Sequence, residues 1–139
     1  MNPENEFHLH MSHRATICVG ANTPDSARRL FEAVEFLVQH GRVIDSSGQY
    51  RSEAEFQGQH PGVPLYMNEV LVMDIDTDYE DFQSSLKSYE RGVRGESSTR
   101  YPGLVGIDID IVIWDNLTLR PRDSHSRYFR RGLELLDES

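Results

Sequence analysis

A chain of 139 residues with a formal charge of −9 is long enough for one domain with a sizeable core and too short for two comfortable ones. Its 37% hydrophobic and 27% charged residues place it among globular proteins, away from disordered or collagen-like chains, and its acidic balance argues against duplex nucleic acid, whose phosphates require a basic surface. No stretch approaches the ~20 apolar residues of a membrane-spanning helix, and the opening MNPENEFHLHMSHR lacks the apolar middle of a signal peptide, so the expectation is a cytoplasmic protein without membrane contact.

Residues 1–13 are polar, carry His8, His10 and His13, and read as a flexible leader ahead of a single domain over residues 14–139. Ala15, Ile17 and Val19 alternate with Thr16 and Cys18, the period of a strand, which Gly20 ends. Thr23 is placed to cap a helix with Pro24 at its first position. Ala27, Leu30, Phe31, Val34, Leu37 and Val38 follow helical spacing up to Gly41. Residues 42–52 form a patchier extended segment in which Gly48 marks a bulge or an edge, and residues 53–64 read as a loop. Residues 67–76 are a strand whose run Val70, Leu71, Val72, Met73 suits one covered on both faces.

Thr77 and Glu80 have capping-box spacing, and Tyr79, Phe82, Leu86, Tyr89 and Val93 share one side of the helix that follows. From Arg94 to Gly106 periodicity is lost, and the segment reads as a loop long enough to move. Ile107, Ile109, Ile111 and Ile113 make one face of a last strand, and Asp108, Asp110 and Val112 the other. A polar connection through Asn116 and Arg122 leads to a terminal helix over residues 124–136. The order strand, helix, strand, strand, helix, strand, helix predicts an α+β fold: a ferredoxin-like sandwich whose antiparallel four-stranded core sheet has helices packed on it.

Asp108 and Asp110 alternate along their strand, which puts both carboxylates on one face, roughly 6.5 to 7 Å apart at about 3.3 Å per residue. Two readings stay open. One is a solvent-facing side of an antiparallel strand; the other is a site for one or two hard cations, since unpaired carboxylates in an isoleucine-rich strand are costly. Asp74 and Asp76 repeat the Asp-Ile-Asp text ahead of a helix cap, where the solvent-facing reading is preferred. Magnesium held by one or two carboxylates keeps positions for phosphate oxygens, so such a pair beside a loop rich in Gly, Ser and Arg suits phosphoryl transfer. Neither GxxxxGK[ST] nor GxGxxG occurs, so a bound nucleotide uses neither standard cradle. Of the 14 basic residues 13 are arginine, and nine of the 14 lie between Lys87 and Arg131: either a phosphate site or a generally arginine-rich surface. The single Cys18, inside an apolar run, reads as a buried inert thiol.

In order along the chain, VGAN (19–22), SSGQYRS (46–52), YMN (66–68), YERGVRG (89–95), IDID (107–110) and RYF (127–129) resemble the 6-hydroxymethyl-7,8-dihydropterin pyrophosphokinase family of folate biosynthesis. The resemblance runs from Ala15 to Leu136. It implies transfer of pyrophosphate from ATP to the pterin's hydroxymethyl oxygen, with two Mg2+ ions bridging the aspartates and the triphosphate. Pterin and ATP are then the partners, and a monomer is expected. By the same resemblance Asp108 and Asp110 match the family's magnesium-binding aspartates, Asn68 and Tyr66 the residues around the pterin edge, and Ser52 a threonine of the same pocket. Phe129 matches an aromatic that stacks on the pterin ring. Glu90 matches an acidic residue on the nucleotide side, where Arg91 and Arg100 are also placed; Arg127 matches an arginine near the phosphates, and Arg94 is kept in the catalytic loop. An amide that pairs a donor and an acceptor, and an aromatic plane that stacks, suit a flat heterocycle. For Tyr66 and Phe129 ordinary core packing is an equal alternative.

Two departures bear on activity. Where the family reads glycine, proline, arginine before the last strand, this chain has Gly103, Leu104 and Val105. Where the family has proline and histidine before the final helix, it has Arg120 and Pro121, with His125 and Arg122 as candidates to compensate. The function is therefore either a magnesium-dependent diphosphotransferase or a catalytically impaired relative that acts as a nucleotide- or pterin-binding or protein-interaction module.

Overall fold

A computed structural model describes residues 12–52 and 65–138. The loop expected over residues 53–64 and nearly all of the leader lie outside the described residues. The elements are β1 (His13–Ala21), α1 (Ser26–Leu37), β2 (Gly41–Ser46), β3 (Tyr50–Ser52), β4 (Tyr66–Ile75), α2 (Tyr79–Arg100), β5 (Asp108–Trp114), β6 (Leu117–Thr118), α3 (Pro121–Ser124) and α4 (Arg127–Glu138). All strand pairs are antiparallel, in the order β2–β4–β1–β5–β6 with β3 also beside β4. The fold class is α+β, and the sheet has six strands where four are expected from the sequence. The additions have local causes. Gly48, at φ 70°, separates β2 from β3, and Asp115, at φ 54°, opens the two-residue turn that returns β5 as β6.

Both sheet faces are covered. Ala15, Ile17, Val19, Leu71, Met73, Ile109, Ile111 and Trp114 meet Leu30, Ala33 and Leu37 of α1 and Phe82 and Leu86 of α2. On the other face Cys18, Val70 and Val112 meet Phe129 and Leu136 of α4. Each fully buried Leu, Ile or Phe here contributes roughly 1.5–3 kcal/mol. Gly132 brings α4 down onto the sheet: a Cβ there would lie 2.2 Å from Val70 Cγ2 and 2.6 Å from the Tyr50 hydroxyl.

The last strand does not keep a simple alternation. Thr16 pairs with Ile113 and Ile17 with Ile111, so Val112 is skipped. This bulge sends both Val112 and Ile113 to the α4 side and returns Trp114 to the other face. The helix starts also differ from expectation. Asp25, not Thr23, precedes α1, after a turn closed by the Ser26 amide on the Thr23 carbonyl (3.0 Å). Asp78, not Thr77, caps α2 by accepting from the Asp81 amide at 2.8 Å. The terminal helix is broken into α3 and α4, with the Ser126 hydroxyl accepting the Phe129 amide at the start of α4.

The largest correction concerns the expected mobile loop. Residues 94–100 continue α2, and only residues 101–107 connect it to β5. No apolar stripe marks those turns because polar contacts hold them. Arg29 of α1 donates to Glu96 at 2.6 Å, and buried Ser97 packs on Gly106, where a Cβ would come within 2.4 Å of its hydroxyl oxygen. His13, placed by the sequence in the leader, begins β1, bonded to Asp115 at 2.9 Å and stacked on Trp114. Among the described residues no helix is long and apolar enough to cross a membrane.

Candidate functional site

The start of β4, the end of β1 and the start of β5 lie side by side. Asn68 pairs with Gly20 and Gly20 with Asp108; the next row inward on the same face is Val70, Cys18 and Asp110. Because paired residues of antiparallel strands share a face, Asn68, Asp108 and Asp110 all stand on the α4 side of the sheet. Gly20 leaves the strip between them bare. A Cβ at Gly20 would lie 3.2 Å from Asn68 Oδ1 and 3.9 Å from the Tyr66 ring.

Asn68 is buried, and its amide nitrogen donates to the Ser52 hydroxyl. Ser52 in turn pairs with half-buried Tyr66. These three expected pterin-edge residues therefore form one cluster at the β3–β4 edge of the strip. Burial raises the pKa of the Tyr66 hydroxyl, and the Asp108 charge adds to it, which ties this cluster to the aspartates. Phe129 is 1% exposed and packed in the second core against Cys18, Val70 and Val112.

Asp108 is exposed, whereas Asp110 and Glu90 are held against their own charge. Only 12% of the Asp110 side chain is exposed. Burial, reinforced by Asp108, pushes its carboxyl up to about 7, while Arg120, with Nη1 at 3.7 Å from Oδ1, opposes the rise. Glu90 is also buried and raised, first by burial and further by Asp108, against Lys87 at 2.9 Å. A hard cation would relieve this. Asp108 and Asp110 are oxygen donors of the kind Mg2+ takes, one or two carboxylates with the remaining positions left to water and phosphate. Among the described residues no group of three or more His, Cys, Asp or Glu converges as a metal site, so the fit is to a shared shell and not to a closed protein cage. Cys18 lies beneath the aspartates with its thiol pKa raised, chiefly by burial and then by Asp110 and Asp108, and is inert as expected.

The arginines divide differently. Arg91, Arg94 and Arg100 are exposed on α2; Arg91 reaches Ser88, and Arg100 meets Glu96 and lies over the Tyr101 ring. Arg127 is exposed as the first residue of α4. Sequence reasoning gave no role to three residues that shape the site or the segment leading to it. Arg120, noted there only as a departure, faces Asp110 while its Nε is bonded to Asp123. The Arg-x-x-Asp spacing beside Pro121 is the signal that marks it. Asn22, whose side chain accepts the Val105 amide at 2.6 Å, pins the strand-β5 approach. Buried Arg29 joins Asp25, Glu96 and the Tyr101 ring, and nothing in the α1 spacing distinguishes it from a surface arginine.

A family profile described as 7,8-dihydro-6-hydroxymethylpterin-pyrophosphokinase (HPPK) matches residues 16–134. Comparison with curated proteins finds no match. The matched span begins inside β1, ends inside α4 and takes in Gly20, Asn68, Asp108 and Asp110, so the chain belongs to the HPPK family.

Proposed function

We propose that this protein transfers the pyrophosphoryl group of ATP to the hydroxymethyl oxygen of 6-hydroxymethyl-7,8-dihydropterin, as a diphosphotransferase of folate biosynthesis. The observation that carries this reading is the row Asn68–Gly20–Asp108, which sets a heterocycle-reading amide beside a carboxylate pair with no side chain between them. Asn68, with Ser52 behind it and Tyr66 beside it, reads the pterin edge, since one amide offers both a donor and an acceptor. By the family resemblance Phe129, which lies in the second core, is the ring assigned to stack on the pterin.

Asp108 and Asp110 would hold Mg2+, two ions on the family pattern, which supplies charge neutralisation at the phosphoryl oxygens. The chain's own part is positioning. Arg94 and Arg127 bring guanidinium forks to the triphosphate, with Glu90, Arg91 and Arg100 on the nucleotide side. The hydroxymethyl oxygen forms its new bond to the β-phosphorus as the bond to the AMP oxygen breaks, so AMP and the pterin diphosphate are the products. The order β2–β4–β1–β5 of the four longest strands supports a ferredoxin-like core, with β3 and β6 as short additions. The same reading takes pterin and ATP as the partners of a cytoplasmic monomer, and the charge of −9 speaks against nucleic acid.

A second reading rests on Val105. Its backbone is bonded to Asn22 at the place where the family carries a phosphate-binding arginine, and an impaired relative that only binds nucleotide or pterin would need no arginine there. An assay with ATP, Mg2+ and the hydroxymethyl dihydropterin separates the two: AMP marks pyrophosphoryl transfer, no turnover with binding intact marks the impaired relative, and pterin-dependent ADP, a single phosphoryl transfer, rejects both.

A further inference from the structure

Arg120 sits where two charge demands meet. Its carbonyl accepts the Ser124 amide at 2.9 Å and Pro121 follows it at the first turn of α3, so its backbone is fixed. Its Nε is bonded to Asp123, and Nη1 faces Asp110 Oδ1 at 3.7 Å. The guanidinium is thus held by one branch and turned towards the aspartate pair by the other. Asp110 is nearly covered, while about half of the Arg120 side chain, 48%, is exposed and has room to move outward.

We propose that Arg120 is a tethered counter-cation that competes with the divalent ion at Asp110, so that metal and triphosphate load together and metal does not load first. The inference rests on the reading of Asp108 and Asp110 as the metal-binding pair. A divalent ion arriving alone meets a guanidinium already beside Asp110, and like charges at such separations repel strongly in a partly buried setting. A triphosphate changes the balance, because its oxygens offer the free branch of the fork a bidentate partner. Arg120 then turns from Asp110 to phosphate while Asp123 keeps its hold, and Asp110 is released to the metal. Arg120 is a positioning residue in this scheme. By linkage, the factor by which bound nucleotide raises the metal's affinity equals the factor by which bound metal raises the nucleotide's.

The test is calorimetric titration of the full chain with Mn2+, alone and with a saturating non-hydrolysable ATP analogue, for wild type, Arg120→Gln, Arg120→Lys and Asp110→Asn. With Mn2+ alone, Arg120→Gln binds roughly tenfold more tightly than wild type, and Arg120→Lys, which keeps the charge, stays near wild type. With the analogue the advantage of Arg120→Gln disappears or reverses. Arg120→Ala repeats the measurement should the glutamine variant fail to fold, as judged by its melting curve. Mn2+ binding that is lost in Asp110→Asn but is no tighter in Arg120→Gln or Arg120→Ala than in wild type overturns this inference and leaves the metal-site reading standing. Mn2+ binding equal in wild type and Asp110→Asn, or absent from wild type even with the analogue, overturns both.

Discussion

Asn22 and Val105 grip each other twice: the Val105 amide donates to Asn22 Oδ1 at 2.6 Å, and the Asn22 amide donates to the Val105 carbonyl at 3.0 Å. This pair ties the entry to β5 onto the end of β1 and so fixes where Asp108 begins. Asn22 is buried, and truncating it leaves the Val105 amide without its acceptor. Asn22→Ala is expected to lower stability by about 1–3 kcal/mol. Hydrogen exchange should speed up across residues 101–106 and stay slow in β1 and β4; unchanged protection at Val105 would show that the pair holds nothing.

Asp110 sets a pH dependence of the metal-free protein. Its carboxyl is displaced upward, from 3.8 to about 7, first by burial and then by Asp108, so the native state holds the proton more tightly than the unfolded chain. The stability this contributes is complete below the unfolded value and is lost as pH rises through the folded value, a few kcal/mol in all. In chelator, the melting temperature should therefore decline between pH 4 and pH 7, and Asp110→Asn should flatten that decline and melt higher at neutral pH. Asp74, lowered by its hydrogen bond to Arg14, acts in the opposite sense and only as pH falls below 3.8, so the two windows separate. Parallel melting profiles for wild type and Asp110→Asn would contradict the assignment.

Gly20 and Asn68 define the pterin strip together. Asn68→Ala should weaken pterin binding by about 1–3 kcal/mol, the cost of leaving a polar edge unpaired, with nucleotide affinity unchanged. Gly20→Ala places a methyl 3.2 Å from Asn68 Oδ1, tighter than ordinary contact, and should impair pterin binding with a small change in melting temperature. Calorimetry that finds both variants equal to wild type would move the pterin elsewhere.

Gly132 lets α4 lie close on the sheet. A methyl group there meets Val70 Cγ2 at 2.2 Å, and β4 cannot retreat without disturbing its pairing with β1. Gly132→Ala is expected to destabilise by about 1–3 kcal/mol or more through overpacking. Denaturant unfolding at wild-type midpoint would show that α4 packs more loosely than described.

Alternation and helical spacing were enough to read most of the frame. Ala15, Ile17 and Val19 face one core, Phe82 and Leu86 join it from α2, and the Asp108–Asp110 pair lies on the opposite side, as a period of two requires. The same rule fails at Ile113, because a bulge at Val112 is set by how β1 and β5 register and not by either strand alone. It also fails at residues 94–100. Those turns of α2 are held through Glu96 by Arg29 and through Ser97 by Gly106, contacts that leave no periodic trace. At the site, Asn68, Ser52 and the aspartates are visible as motifs, whereas the role of Arg120 depends on the chain folding back after β5 to bring it to Asp110, which no spacing shows.

The central claim joins one reaction to one pair of carboxylates, and 31P NMR of the reaction mixture tests it most directly. Wild type given ATP, Mg2+ and 6-hydroxymethyl-7,8-dihydropterin should yield AMP and a pterin diphosphate ester in equal amounts, and Asp110→Asn, still folded, should yield neither. A wild type that forms no AMP, or an Asp110→Asn variant that forms it at the wild-type rate, would contradict the account.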